Sequence, residues 1–231
     1  MSQSKNAWNK IFAQQGRVFT EPHEDMPGIV QMLKDRGAST VLDLGSGTGR
    51  HVVYLAKNGF SVCGLDHSPE GMKVTRRWLA DEGLTAELQL QSIAERFPYE
   101  DTFFDAVVSV QVIHHAAIAT IRGVVEEVSR VLKRGGFLFV TVPKLRNQGE
   151  TFEQLEPNTY IPLDGPERGL PHHYFTPEEL REAFGGYDIE DIHLDVWDHY
   201  CLSAFKGQGM AVNKTVAQQV AGADQAIESL T

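Results

Sequence analysis

Thr40-Val41-Leu42-Asp43-Leu44-Gly45-Ser46-Gly47-Thr48-Gly49-Arg50 reads as an apolar strand that carries one carboxylate and runs straight into three glycines at alternate positions. Glycines so spaced let the main chain turn sharply and leave room for a ligand to lie against it. By itself the run also fits a tight strand-to-helix turn with no ligand. Its neighbours narrow the choice. Residues 50–58 set Val52, Val53, Leu55 and Ala56 at helical spacing before Gly59, and residues 60–65 form a second strand closed by Asp66. The result is a βαβ unit, in which a ligand sits outside the carboxyl ends of the strands and an acidic residue ending the second strand accepts ribose hydroxyls.

Two ligand classes compete for that geometry. A dinucleotide fingerprint needs Gly-x-Gly-x-x-Gly, whereas here the third glycine comes one residue early and Asp43 stands two residues before the first. A carboxylate at that point suits a cation better than a pyrophosphate. The sulfonium and ammonium groups of S-adenosylmethionine supply one.

The stretch from Val41 to Gly49 resembles the first motif of the class I S-adenosylmethionine-dependent methyltransferases, the small-molecule group among them. The resemblance covers about residues 7–205. A third strand is expected over 87–90, and the acidic, proline-containing run from Glu95 to Asp105 leads to a fourth over 106–112. A helix follows with Ile118, Ile121, Val124, Val125 and Val128 on one face, and Lys133-Arg134-Gly135-Gly136 resembles the family's turn into strand five. The family implies an α/β, Rossmann-like, doubly wound sheet of seven mostly parallel strands, helices on both faces and the last strand antiparallel. It also implies S-adenosyl-L-methionine as cofactor and S-adenosylhomocysteine as product. Asp43, Gly45, Ser46, Gly47, Thr48, Gly49 and Arg50 should hold the methionyl part, and Asp66 with His67 the ribose. Ser92, Ile93 and Ala94 should meet the adenine edge, and Gln111 should border the methyl. The family commonly has an acidic residue where Ile93 aligns, so the adenine pocket is expected to be more apolar than usual.

A chain of 231 residues with 42% hydrophobic content can bury one sizeable core. It has no apolar run near the roughly 20 residues of a membrane span, and its polar N-terminus lacks a secretory h-region. A cytoplasmic enzyme is expected. A formal net charge of −10 argues against a nucleic-acid surface. Cys63 and Cys201 fall in expected strands and read as buried free thiols. Monomer and homodimer both stay open.

The methyltransferase domain is expected to fill residues 1–206, with a helical lid over 1–37, a substrate-cap insert over 144–175 and a tail over 207–231. Within the lid, helices are expected over 5–15 and 25–35. Trp8 and Phe19 either close over the cofactor, as in similar small-molecule enzymes, or Trp8 and Phe12 pack onto the sheet edge. Residues 144–175 carry four prolines and no sustained periodicity, as a mobile or functional connection would. They close on Thr176-Pro177-Glu178-Glu179, a capping box, before a helix ending at Gly185-Gly186 and two final strands over 187–195 and 200–205.

Methyl transfer is an in-line attack that chiefly needs alignment, which can lower a barrier by roughly 7–11 kcal/mol. Where the acceptor loses a proton, His114, His115 and His173 are the candidate bases, since imidazole titrates near pH 6.5 unperturbed. Equally, they contact cofactor or tie a loop. Tyr160, His172, His173 and Tyr174 are the candidate substrate contacts. Glu150, Glu153, Glu156, Asp164 and Glu167 form either a receptor for a cationic acceptor or a solvated face. No metal site is expected, because none of these histidines has a helical i, i+4 partner or a neighbouring cysteine. The leading acceptor is the oxygen or nitrogen of a small molecule. A tRNA base or protein side chain, or cofactor binding without transfer, are the alternatives.

Overall fold

The computed structural model of the chain describes residues 7–146 and 151–207. In chain order it holds α1 (Ala7–Gln15), α2 (Met26–Asp35), β1 (Thr40–Leu44), α3 (Arg50–Lys57), β2 (Ser61–Asp66), α4 (Pro69–Asp81), β3 (Glu87–Leu90), β4 (Phe104–Val110), α5 (Ile118–Val131) and β5 (Leu132–Pro143). There follow β6 (Phe152–Glu156), β7 (Thr159–Pro162), β8 (His172–His173), α6 (Pro177–Ala183), β9 (Tyr187–Leu194) and β10 (His199–Lys206). The main sheet has seven strands in the order β3-β2-β1-β4-β5-β10-β9. Strands β3 to β5 run parallel, and β10 lies antiparallel to both β5 and β9. This is the doubly wound, mostly parallel sheet expected from the sequence.

Alternating side chains place two cores on opposite faces of that sheet. Leu42, Leu44, Val107 and Leu138 pack with Ile121, Val124 and Val128 of α5. Val41, Ala106, Val108 and Phe139 pack instead with Ile29 and Leu33 of α2, Val53 and Leu55 of α3, and Trp78 of α4. Strands covered on both faces read as continuous apolar runs, which is why β1 and β4 stand out in the sequence. The strand order reverses between β1 and β4, and in sheets of this kind the ligand crevice lies at that switch, beyond the carboxyl ends.

Differences from expectation are local. β4 stops at Val110, not at residue 112, because Gln111 turns left-handed at φ +60°. Helix α4, unassigned from sequence, starts where Ser68 accepts a hydrogen bond from Gly71 N and Pro69 opens the first turn. The insert is not devoid of regular structure: β6, β7 and β8 make a three-stranded antiparallel sheet. Thr176 does cap α6, accepting from Glu179 N, but the Glu179 carboxylate turns to Asn158 and His173. The box is therefore half made. Both cysteines are buried and free. Among the described residues no helix is long and apolar enough to cross a membrane. The first residues of the expected 5–15 helix, Glu150, and residues 208–231 of the expected tail lie outside the described residues.

Candidate active site

At the end of β1 the chain folds over β2, with Gly45 N and Ser46 N both donating to Leu65 O at 2.7 and 3.1 Å. Gly45 takes φ +77°, and a Cβ there would stand 2.3 Å from the Val112 methyls. Gly49, the N-cap of α3, takes φ +93°, and its Cβ would stand 2.6 Å from Thr75. No larger residue fits either place without strain. The loop is fastened by Asp66, whose carboxylate accepts from Gly47 N and Ser68 N, each at 2.8 Å.

Asp43 lies beneath this loop, 2% exposed. Burial pushes its carboxyl up to about 7, against the pull of the Arg50 guanidinium. Burial also raises Asp66, opposed by the two N–H donors. Thr48 is buried in the same turn.

Helix α1 lies across the glycine loop. The Phe12 ring lies 3.3 Å from where a Gly47 Cβ would stand, and Asn9 Oδ1 accepts from Ser68 Oγ and Glu70 N at 2.8 and 3.0 Å. Trp8 stacks 5.4 Å from Phe12 and 6.1 Å from His115, so it reaches from the glycine loop to the far wall. Phe12 thus lies against the glycine loop, and Trp8 between it and His115. Phe19 does not join them: its ring is half exposed and lies under the Arg50 guanidinium at 5.1 Å. His67 is also partly exposed, 3.7 Å from Asp66. After β3, Ser92 Oγ accepts from Ala94 N, and Ile93 and Ala94 line an open pocket of about 360 Å³ with Arg96, Thr120 and Gly123.

Beyond β4, Gln111 is pinned in its left-handed turn by Thr141, which accepts from its backbone N and its side-chain Nε2. Strain of this kind in a non-glycine residue recurs at functional sites. His114, His115 and His172 then meet. The His114 and His115 rings are 3.9 Å apart, and His115 to His172 is 4.7 Å. Glu167 lies between them, Oε1 3.5 Å from His115 Nε2 and Oε2 3.2 Å from His172 Nε2. Burial, then the neighbouring imidazoles, holds His114 well below the ordinary histidine value, and burial lowers His115 despite Glu167. The carboxylate, though itself part-buried, is held well below its usual range by the two histidines. His173 points elsewhere, Nδ1 2.7 Å from Thr159 Oγ1 and Nε2 3.1 Å from Glu179. Tyr174 stacks 6.4 Å from His172 and 6.0 Å from Tyr160, continuing the aromatic wall outward.

The spacing argument against a metal cluster does not survive folding, since one ring nitrogen each from His114, His115 and His172 falls within 4.8 Å of the others. Elsewhere a cysteine does neighbour a histidine, Cys201 Sγ lying 3.8 Å from His23 Nε2. The acidic run of the insert divides: Glu156 accepts from Ile118 N and caps α5, while Glu167 serves the histidines. Neither role is marked in the sequence, where both are members of a charged stretch. Asn9 was equally unmarked.

Residues 42–140 match the family model described as a methyltransferase domain. This stretch of the chain is similar to a methyltransferase domain. An uncharacterised methyltransferase of Synechocystis is 35% identical over 96 residues, covering 42% of this chain and 43% of that protein. A ubiquinone biosynthesis O-methyltransferase of Xylella fastidiosa is 31% identical over 101 residues, covering 44% and 40%. The matched stretch thus spans less than half of each relative. Among solved structures, a S-adenosylmethionine-dependent methyltransferase of Methanosarcina mazei superposes with TM-score 0.69 at 20% identity, covering 82% of this chain and all of that one. The fold is that of the class I methyltransferases.

S-adenosylmethionine is the cofactor of the class I methyltransferases, and the residues at the glycine loop fit it. Asp43 Oδ2 and Ser46 Oγ are buried without a hydrogen-bond partner in the glycine cradle, acceptors for an ammonium and a polar ligand edge. Asp66 stands at the carboxyl end of β2, the position from which an acidic residue can accept ribose hydroxyls in folds of this kind.

Proposed function

We propose that the protein transfers the methyl group of S-adenosylmethionine to an oxygen or nitrogen of a small-molecule acceptor. One observation carries the reading. Of the five buried, unpartnered side-chain atoms among the described residues, three belong to the glycine loop or to helix α1 across it: Trp8 Nε1, Asp43 Oδ2 and Ser46 Oγ. Native proteins rarely bury such atoms in numbers, and a bound ligand is the economical way to satisfy them together.

The cofactor supplies an already activated methyl group, so this chain's residues have to bind, orient and exclude water. Asp43 offers a negative charge to the methionyl ammonium, Asp66 accepts from the ribose, and residues 92–94 border the adenine. Helix α1 acts as the lid through Trp8 and Phe12, and the 144–175 insert with Tyr160 and Tyr174 shapes the acceptor chamber. His115, kept neutral at pH 7 by its surroundings, takes the acceptor's proton. The relative from Xylella fastidiosa is named as an O-methyltransferase, which favours hydroxylated acceptors as the first to screen.

Calorimetric titration with S-adenosylmethionine and NAD in parallel, followed by assay of S-adenosylhomocysteine formation over hydroxylated and amine acceptors, tests this. Selective binding and turnover are expected. Binding of NAD, or tight cofactor binding with no product over the whole panel, would remove the transferase reading. His115→Ala should lower turnover by about a hundredfold, within the usual span for a general base, with little change in cofactor affinity. Equal losses in both would put His115 in the cofactor pocket.

A further inference from the structure

We infer that His114, His115 and His172, with Glu167 as the carboxylate partner, bind one divalent transition-metal ion of the zinc class at the wall of the crevice. The three side chains come from two segments far apart in sequence, yet one nitrogen of each converges within 4.8 Å. Zinc holds imidazole nitrogens at roughly 2.0–2.1 Å, so small side-chain rotations close this spacing onto one ion.

Tautomer bookkeeping distinguishes this cluster from an ordinary polar network. His172 Nδ1 lies 2.8 Å from Leu170 O, and a carbonyl only accepts, so Nδ1 carries the proton. The neutral ring then presents a bare lone pair at Nε2, which faces Glu167 Oε2 at 3.2 Å. A carboxylate oxygen is also an acceptor, so a positive charge belongs between them. His115 Nε2 faces the other oxygen of the same carboxylate at 3.5 Å. His114 Nδ1 is buried with no partner, in a residue only 3% exposed. A single proton on His172 would answer Glu167 but would leave the buried His114 Nδ1 without a partner, whereas one ion at the point where the three rings converge takes a nitrogen from each.

The supports are those a metal site needs. A backbone carbonyl fixing the tautomer of a ligand histidine is the usual outer-sphere arrangement. His173 N donates to His114 O at 2.8 Å, locking the two ligand-bearing segments together. Imidazole with carboxylate suits zinc and its neighbours and disfavours magnesium, which prefers oxygen ligands.

A second cluster, His23, Asp195 and Cys201, is as compact but closed. Asp25 N donates to His23 Nδ1, which leaves the proton on Nε2 to be donated to Asp195 Oδ2 at 3.3 Å. Asp195 Oδ1 takes Trp197 N and His199 N. No histidine lone pair is left over for an ion.

The consequence for chemistry rests on the methyl-transfer reading: in the ion-loaded chain His115 is a ligand and not the base assigned to it above, and the ion would instead hold the acceptor hydroxyl as its anion at neutral pH, the proton leaving to solvent. Ion binding itself does not depend on that reading. The test uses the full chain, free of any histidine tag and stripped by a chelator. Zinc is titrated by calorimetry and cobalt(II) by visible absorption, with S-adenosylmethionine titrated alongside. One ion per chain is expected. The double variant His115→Ala/His172→Ala should lose at least about a hundredfold in zinc affinity, and Glu167→Gln roughly ten- to a hundredfold. Cys201→Ser should bind as the parent does, and circular dichroism checks that each variant is folded. A parent chain that binds S-adenosylmethionine but no ion overturns the metal site and leaves the transferase reading standing. Ion binding that persists in the folded double variant, or vanishes in Cys201→Ser, overturns it as well. Ion binding without cofactor binding supports the metal site and sinks the transferase reading alone.

Discussion

Asp43 is a carboxyl group in the least favourable place for a charge, which is also where a cationic ligand gains most. Its shift from 3.8 to about 7 means the folded chain holds the proton more tightly than the unfolded chain. Stability from this group is therefore greatest below about pH 4 and is lost as pH rises towards 7. For the cofactor the sign reverses. A sulfonium and an ammonium favour the carboxylate, so binding should expel a proton and affinity should rise between pH 6 and 8, by at most about tenfold per unit. Titrations in buffers of different ionisation heat measure the released proton directly, and an affinity flat with pH would detach Asp43 from the ligand. Asp66→Ala should weaken cofactor binding by about 1–3 kcal/mol, the cost of unpaired buried hydroxyls. Because Asp66 also fastens Gly47 N and Ser68 N, that variant should lose thermal stability too. Affinity unchanged in a folded Asp66→Ala chain would mean the ribose lies elsewhere.

Between β1 and α3 the glycine loop works as an element only because neighbours were shaped around it. Gly45→Ala sets a methyl 2.3 Å from Val112 at φ +77°, and should cost about 1–3 kcal/mol of stability. In a Val112→Ala background the steric part should disappear and the backbone part remain, so a double-mutant cycle by denaturant unfolding would show coupling; strictly additive losses would count against a packing origin. This loop was legible in the sequence because its constraint is local: strand, turn and helix lie within eighteen consecutive residues, Thr40 to Lys57, and Gly45 and Gly49 hold positions where a Cβ would clash. Helix α4 was less visible although Ser68 and Pro69 mark its start, since the apolar face of Met72, Trp78 and Leu79 is broken by Arg76 and Arg77. The sheet of the insert left no pattern at all. Its strands are five, four and two residues long and partly exposed, so no alternation develops. They are held by hydrogen bonds such as Thr159 to Glu156, which sequence spacing does not announce.

Across the whole molecule the crevice is assembled from segments that sequence keeps apart: α1, the loop after β1, the end of β2, the turn after β4 and the insert. The resemblance to methyltransferases drew attention to the glycine loop and to Asp66 at the end of β2, because both are marked by consecutive residues. It could not bring His172 to His115, or Glu167 between them, since that meeting depends on how the segment that carries Glu167 and β8 returns to the turn after β4. The same wide assembly makes ligand binding a property of the entire fold. Occupying the crevice should stiffen α1 against the glycine loop and the insert against the histidines, and only the folded chain offers all these walls. Mass action then requires S-adenosylmethionine at a hundred times its Kd to add about 2.7 kcal/mol to the unfolding free energy. For a chain of 231 residues that is a rise in Tm of roughly 5–10 °C. Trp8→Ala, which removes the bridge from Phe12 to His115, should shrink the rise by weakening the lid. Thermal scans with S-adenosylmethionine, S-adenosylhomocysteine and NAD check this: an equal rise with NAD would reopen the dinucleotide reading of the glycine loop, and an undiminished rise in Trp8→Ala would leave α1 as packing with no part in holding the cofactor.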